Sequence, residues 1–196
     1  LSAMQVDYGS GDLEPEFLDL YNRTELLLRQ IYATRHSMLI MTGEGMLALW
    51  SALKSTILPG ERVLAIATGV FGYGIGEMAS SIGAQVKTIA IPYDRTISNW
   101  SAIEQAIAEF RPKMITAVHC ETPSGTLNPL AELGRLKVRY GVPLLYVDAV
   151  ASAGGAELLT DKQAARLRTL FGAEEHVEVE ATWGIYQRMI AAYRHE

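Results

Sequence analysis

One cysteine, Cys120, in 196 residues excludes an intrachain disulfide and a thiolate metal cluster, and fits a reducing cytoplasm. Apolar runs are strand-length and interrupted, so none supplies the ~20 residues of a membrane-spanning helix. No basic-then-apolar signal segment opens the chain, and its abrupt start at Leu1 suggests that an N-terminal piece precedes it. Basic residues are outnumbered, 17 against 22 acidic, which removes the electrostatic case for nucleic acid or an anionic membrane. Ser-His-Asp, Cys-His and zinc-ligand spacings are missing too. What remains, at 49% hydrophobic residues, is the composition of an ordinary globular protein.

Short apolar runs alternate with amphipathic ones through residues 15–155. The spacing predicts a helix over 15–34, with Pro15 in its first turn, where the missing N–H costs nothing, and Phe17, Leu20, Tyr21, Leu27, Leu28, Ile31 and Tyr32 on one face. A strand is expected at 37–41. The turn Thr42-Gly43-Glu44-Gly45 then leads into a helix that runs to Ile57 and stops at Pro59-Gly60. After it come strand 62–67, helix 71–82, strand 85–91, helix 98–110 capped by Ser98, and strand 114–119. A helix capped by Asn128 before Pro129 reaches about Gly141, and 143–148 is the last strand. Short, almost unbroken apolar strands separated by helices belong to parallel sheets buried on both faces. The expected fold is α/β, a three-layer αβα sandwich with a mainly parallel sheet and right-handed crossovers.

Ligands of such sheets lie beyond the carboxyl ends of the strands. Residues 42–46, 68–71, 120–126 and 148–150 therefore hold the candidate chemistry. The Gly43–Gly45 turn offers backbone N–H groups and a helix dipole to a phosphate, although the Glu44 carboxylate would repel one. A nucleotide site on this turn is a rival reading, but the third glycine of a dinucleotide fingerprint is missing. Asp148 ends an apolar strand, where a carboxylate is costly unless it meets a cation such as a protonated pyridine nitrogen; alone it is equally a cap or a metal-ligand remnant. Phe71 could stack on a planar ring or simply be core. Thr122 could donate to a phenolate oxygen or belong to a hydrogen-bonded turn, with His119 a satisfied histidine and Cys120 an inert small hydrophobe.

In order and spacing, five segments together resemble the class V aminotransferases of fold type I. They are Met41-Thr42-Gly43-Glu44-Gly45-Met46-Leu47-Ala48-Leu49, Gly69-Val70-Phe71-Gly72, Val118-His119-Cys120-Glu121-Thr122 through Gly125, Leu127-Asn128-Pro129-Leu130, and Val147-Asp148-Ala149-Val150-Ala151-Ser152. The likeness is strongest to alanine–glyoxylate and serine–pyruvate aminotransferases, with 2-aminoethylphosphonate–pyruvate transaminases nearby, and spans residues 1–155. It implies a pyridoxal 5'-phosphate-binding large domain, a small amino acid and a 2-oxo acid as substrates, and a homodimer. By position, Glu44, Gly45 and Met46 fall on the phosphate turn and Phe71 on the stacking aromatic. Thr122 falls on the phenolic-oxygen contact, Asp148 on the pyridinium partner, and Val150 on the other ring face. The family usually has Ser or another small polar residue at 44 and Thr or His at 46; Glu44 and Met46 depart from that, which leaves only backbone donors for a phosphate.

From Ala156 the texture changes. The family's Schiff-base lysine is expected near 171–175, which read Phe171-Gly172-Ala173-Glu174-Glu175; Lys162 comes too early. No catalytic lysine is therefore assigned. The small domain with its carboxylate-gripping arginine is not found either, so the reading is an incomplete, inactive large domain. Residues 156–196 resemble instead a fragment of a DDE-type insertion-sequence transposase, through 157–163 and 176–187. With five Lys or Arg against seven Asp or Glu, this tail is not a DNA-binding face. A helix is expected at 161–171 and a strand at 177–183, which could cover a sheet edge left open at 37–41 or 143–148.

Overall fold

The computed structural model describes residues 5–7, 9, 14–93 and 95–153, so the expected helix 161–171, strand 177–183 and transposase-like tail lie outside the described residues. Two compact units divide the chain, Leu1–Gly43 and Glu44–Glu196.

In the first unit, helix α1 (Pro15–Ile31) starts on Pro15 as expected. It stops three residues early, because Tyr32 closes the last turn on Leu28 and Ala33 turns to a positive φ of 46°. No strand forms at 37–41. The α1 side chains take the backbone donors there instead: Met38 N–H donates to Glu25 Oε1 at 3.0 Å and Ile40 N–H to the Tyr21 hydroxyl at 3.1 Å. A strand needs a neighbouring strand for its donors, and this unit has none among its described residues.

The second unit is built on a four-stranded parallel sheet. Its elements are α2 (Gly45–Thr56), β1 (Arg62–Ala67), α3 (Val70–Ser81), β2 (Gln85–Ala90), α4 (Trp100–Phe110), β3 (Met114–Val118), the two-residue strands β4 (Cys120–Glu121) and β5 (Thr126–Leu127), α5 (Ala131–Arg139) and β6 (Leu144–Asp148). The sheet order is β2-β1-β3-β6, and β4 pairs with β5 in a small antiparallel hairpin that periodicity alone did not predict. Alternate strand residues serve opposite faces. Leu64, Ile66, Ile115 and Ala117 meet Ile103 and Ile107 of α4 and Leu133 and Leu136 of α5. Val63, Met114 and Val118 meet Leu53 and Ile57 from the end of α2, and Ile75, Met78 and Ala79 of α3. Helices thus cover both faces, the expected three layers. Fully burying a Leu or Ile contributes about 1.5–3 kcal/mol, so these two cores are the main source of stability.

Two expected caps are corrected. Asn99, not Ser98, caps α4, its side chain accepting from Ala102 N–H at 3.2 Å. Asn128 does not cap α5, which begins at Ala131 after Leu130; its amide is used inside the sheet. Among the described residues β2 and β6 each pair on one side only, and Val147 on the β6 edge is 37% exposed.

Candidate active site

Strand β1 is followed by α3 and then β2, whereas β3 is followed by α5 and then β6, so the connections diverge between β1 and β3. That divergence opens a crevice at their carboxyl ends. Two side chains cross it. Asn128, 2% exposed, donates through Nδ2 to the Thr68 hydroxyl (2.7 Å) and to the Val118 carbonyl (2.8 Å). Its Oδ1 accepts from Ile97 N–H at 3.3 Å and lies 3.2 Å from the Thr96 hydroxyl. Glu121, fully buried, accepts from Phe71 N–H at 2.6 Å and from Gly72 N–H at 3.2 Å. A carboxylate is favoured at a helix N-terminus by the dipole and the orphan donors. Gly69 makes room for it, since a Cβ there would lie 2.3 Å from Glu121 Cγ.

Helix α3 therefore has its N-terminal anion position filled from within. Helix α2 does not. Its cap residue Glu44 is exposed and makes no side-chain cap hydrogen bond, while the Glu44 carbonyl accepts from Leu47 N–H at 2.9 Å. Gly45 and Met46 N–H groups meet no acceptor among the described residues of this unit. The Met46 side chain packs toward the core, leaving its backbone as the only donor at that position. Gly45 stands beside Val150, 3.8 Å from a built Cβ to Val150 Cγ2.

Asp148 ends β6 at 5% exposure. One carboxylate oxygen, Oδ1, accepts from Val150 N–H at 3.0 Å, and its backbone carbonyl accepts from His119 N–H at 2.7 Å. The other oxygen meets no donor and no cation among the described residues. A buried carboxylate oxygen without a partner is costly, and a protonated pyridine nitrogen is the kind of group that would satisfy it. Burial, with Asp148 adding, raises the Tyr146 phenol far above its ordinary value, so it stays neutral; its hydroxyl donates to the Leu49 carbonyl at 3.4 Å. His119 Nδ1 lies 2.9 Å from the Ser152 hydroxyl. Burial first and Glu121 second raise the Cys120 thiol, which agrees with an inert side chain.

Glu44, Gly45, Met46, Phe71, Thr122, Asp148 and Val150 thus all lie at one end of the sheet. Gly45 adjoins Val150, Val150 is bonded to Asp148, and Phe71 is bonded to the residue before Thr122. Phe71 and Val150 are open, 38% and 78% exposed, so among the described residues an uncovered apolar side chain stands next to each of two buried carboxylates, Phe71 by Glu121 and Val150 by Asp148. The residues fit a flat, cationic heteroaromatic ring that carries an anionic arm. A cavity of about 800 Å³ lies elsewhere, at the amino ends of the strands between Glu61, Arg111 and Val142. Glu121 was missed by sequence reasoning. The polar density at His119–Gly125 pointed to its loop, but no spacing announces a bond to a residue 50 positions away.

The family model for class V aminotransferases matches residues 2–165. The chain belongs to the class V aminotransferases. A solved alanine–glyoxylate aminotransferase from Nostoc sp. superposes at a TM-score of 0.72 with 34% identity, over 78% of this chain and 40% of its own. The pyridoxamine–pyruvate transaminase of Mesorhizobium japonicum is 33% identical over 74% of this chain and 36% of its own length. Alanine–glyoxylate aminotransferase of Mus musculus is 31% identical over 78% and 37%. The fold is that of the fold type I pyridoxal-phosphate transferases, and the chain spans about two fifths of the length of these relatives.

Proposed function

We propose that this chain forms the cofactor-binding part of an aminotransferase that moves an amino group from a small amino acid, such as alanine or serine, to glyoxylate or another 2-oxo acid. Pyridoxal 5'-phosphate is its cofactor. When bound, the cofactor's protonated ring supplies an electron sink for the bonds of the amino acid's α-carbon. Asp148 carries the proposal: its unpartnered, buried oxygen holds the proton on the pyridine nitrogen, because a carboxylate in that position favours the cationic form. Phe71 and Val150 cover the two ring faces and exclude water. The Thr122 hydroxyl donates to the phenolic oxygen, and the open first turn of α2, with Gly45 and Met46 N–H groups, takes the phosphate.

Residues 171–175 offer no lysine, so we further propose that the 196-residue chain binds cofactor without a covalent bond and turns over no substrate by itself. The transposase-like origin of 156–196, and its separation from a large domain ending near 155, rest only on the resemblance of those residues, and the family match itself runs on to residue 165. A homodimer is supported by the exposed Leu26 and Leu27 of α1, 56% and 60% open. No helix among the described residues is long and apolar enough to cross a membrane, and the single cysteine of the chain is compatible with a cytoplasmic location.

A second reading has an observation of its own. Glu44 puts an exposed carboxylate where the phosphate would sit, and one relative is named for acting on pyridoxamine, which lacks the phosphate. Titration of the chain with pyridoxal 5'-phosphate, pyridoxamine 5'-phosphate and pyridoxamine, followed by absorbance, separates the two. Saturable binding of a phosphorylated form that is lost in Asp148→Asn supports the first, and preference for pyridoxamine supports the second. Equal, unsaturable responses from wild type and Asp148→Asn would refute both. Borohydride trapping on a specific lysine peptide would refute the non-covalent mode.

A further inference from the structure

The buried Glu121 carboxylate has no place in the cofactor contacts above, yet among the described residues it is a charged group that joins the loops after β1 and β3. We propose that Glu121 is a positioning residue: clamped on the Phe71 and Gly72 N–H groups, it sets the gap between the Phe71 ring and the Thr122 hydroxyl. The inference rests on the proposed cofactor site and deepens it.

Three observations carry it. Glu121 is 0% exposed, and both its oxygens are bonded to the first turn of α3, at 2.6 and 3.2 Å. The chain around it is shaped to admit the carboxylate. Gly69 is buried, and a Cβ on it would come within 2.3–2.9 Å of three Glu121 side-chain atoms. On the other side the same turn is pressed onto β1, since a Cβ on Gly72 would lie 2.8 Å from Ala67 Cα. The α3 start is therefore held between the strand and the carboxylate, which restricts sliding of Phe71 along the helix axis. Thr122 is the next residue after Glu121, so a shift of the glutamate backbone moves its hydroxyl directly. No basic side chain forms an ion pair with Glu121 among the described residues, so the helix N-terminus is what compensates its charge.

Replacing the carboxylate by an amide tests this with almost no change of volume. Glu121→Gln keeps one acceptor but turns an NH2 toward a backbone N–H, so one of the two bonds is lost. The probe is pyridoxamine 5'-phosphate, followed by equilibrium binding and by the circular dichroism induced in its absorption band, which reports ring orientation. Glu121→Gln is expected to weaken binding about tenfold and to diminish the induced signal. A control, Val142→Ala, lies in the core at the opposite end of the sheet, and is expected to lower thermal stability while leaving affinity and signal as in wild type. In the wild-type chain the Phe71 amide proton should resonate far downfield and be among the slowest to exchange.

Wild-type binding and signal retained in Glu121→Gln would overturn the inference alone. So would a Phe71 amide that exchanges as fast as exposed loop amides, a result available even if the variant does not fold. A wild-type chain that binds no pyridoxamine 5'-phosphate would sink the proposed function, and this inference with it. Loss of binding in Val142→Ala equal to that in Glu121→Gln would reduce Glu121 to a general stability role.

Discussion

Removing the Asn128 amide should cost more than any exposed polar deletion in this chain. Asn128→Ala strips the Thr68 hydroxyl and the Val118 carbonyl of a donor and Ile97 N–H of an acceptor, at 2.7, 2.8 and 3.3 Å. Val118 and Ile97 are each 2% exposed, so water cannot simply replace the side chain. An unsatisfied buried group costs about 1–3 kcal/mol, and the two main-chain groups, Val118 C=O and Ile97 N–H, give roughly 4 kcal/mol (the Thr68 hydroxyl can rotate), a large share of the 5–15 kcal/mol typical of a domain. Urea unfolding should show this as a lower midpoint at unchanged slope. Asn128→Asp sharpens the argument. Its new carboxylate would face the Val118 carbonyl as acceptor against acceptor, which raises its folded pKa above the unfolded value of about 3.9. The charge penalty is then absent below that unfolded value and grows as pH rises through the folded one. The aspartate variant should therefore approach wild type on going from pH 7 to pH 4, while the alanine variant keeps its deficit. A loss below about 1 kcal/mol in Asn128→Ala, or parallel pH curves for the two variants, would refute the reasoning.

At the phosphate turn, Glu44→Ser removes one negative charge and adds a donor, and should tighten pyridoxamine 5'-phosphate about tenfold at low salt and less at high salt, with pyridoxamine itself unchanged. Equal effects on both ligands would clear Glu44 of any electrostatic role. The Lys113 ammonium, then Leu58 N–H, hold the Glu61 carboxyl below its ordinary 4.5. A depressed pKa stabilises above the unfolded value and is lost as pH falls through the folded one, so Glu61→Gln should flatten the melting-temperature decline between pH 5 and pH 3. An unchanged acid limb would contradict it. Val147→Lys places a charge on β6, whose outer edge is unpaired among the described residues, and should lower light scattering during refolding; undiminished scattering would mean that this edge is not the aggregating surface.

The alternation of apolar and amphipathic runs was enough to place all four strands of the parallel sheet and the helices between them, because each is specified by a local period and by a stop such as Pro59-Gly60 or Gly141. The placement of the candidate site was legible through its loops, since Gly45, Phe71, Thr122 and Asp148 each follow a strand or open a helix, and parallel topology carries all such points to one end. The failures share a cause. Residues 37–41 have strand composition, but a strand exists only when a neighbour accepts its hydrogen bonds, and Tyr21 and Glu25 took that place. Asn128 has the local signature of a cap, yet its amide is worth more bridging β1 and β3 than closing a helix turn. Glu121 looked like one polar residue in a polar turn. Local sequence determines the backbone period of each segment; which buried donor meets which acceptor across 50 residues is decided only when the sheet brings two chain-distant loops together.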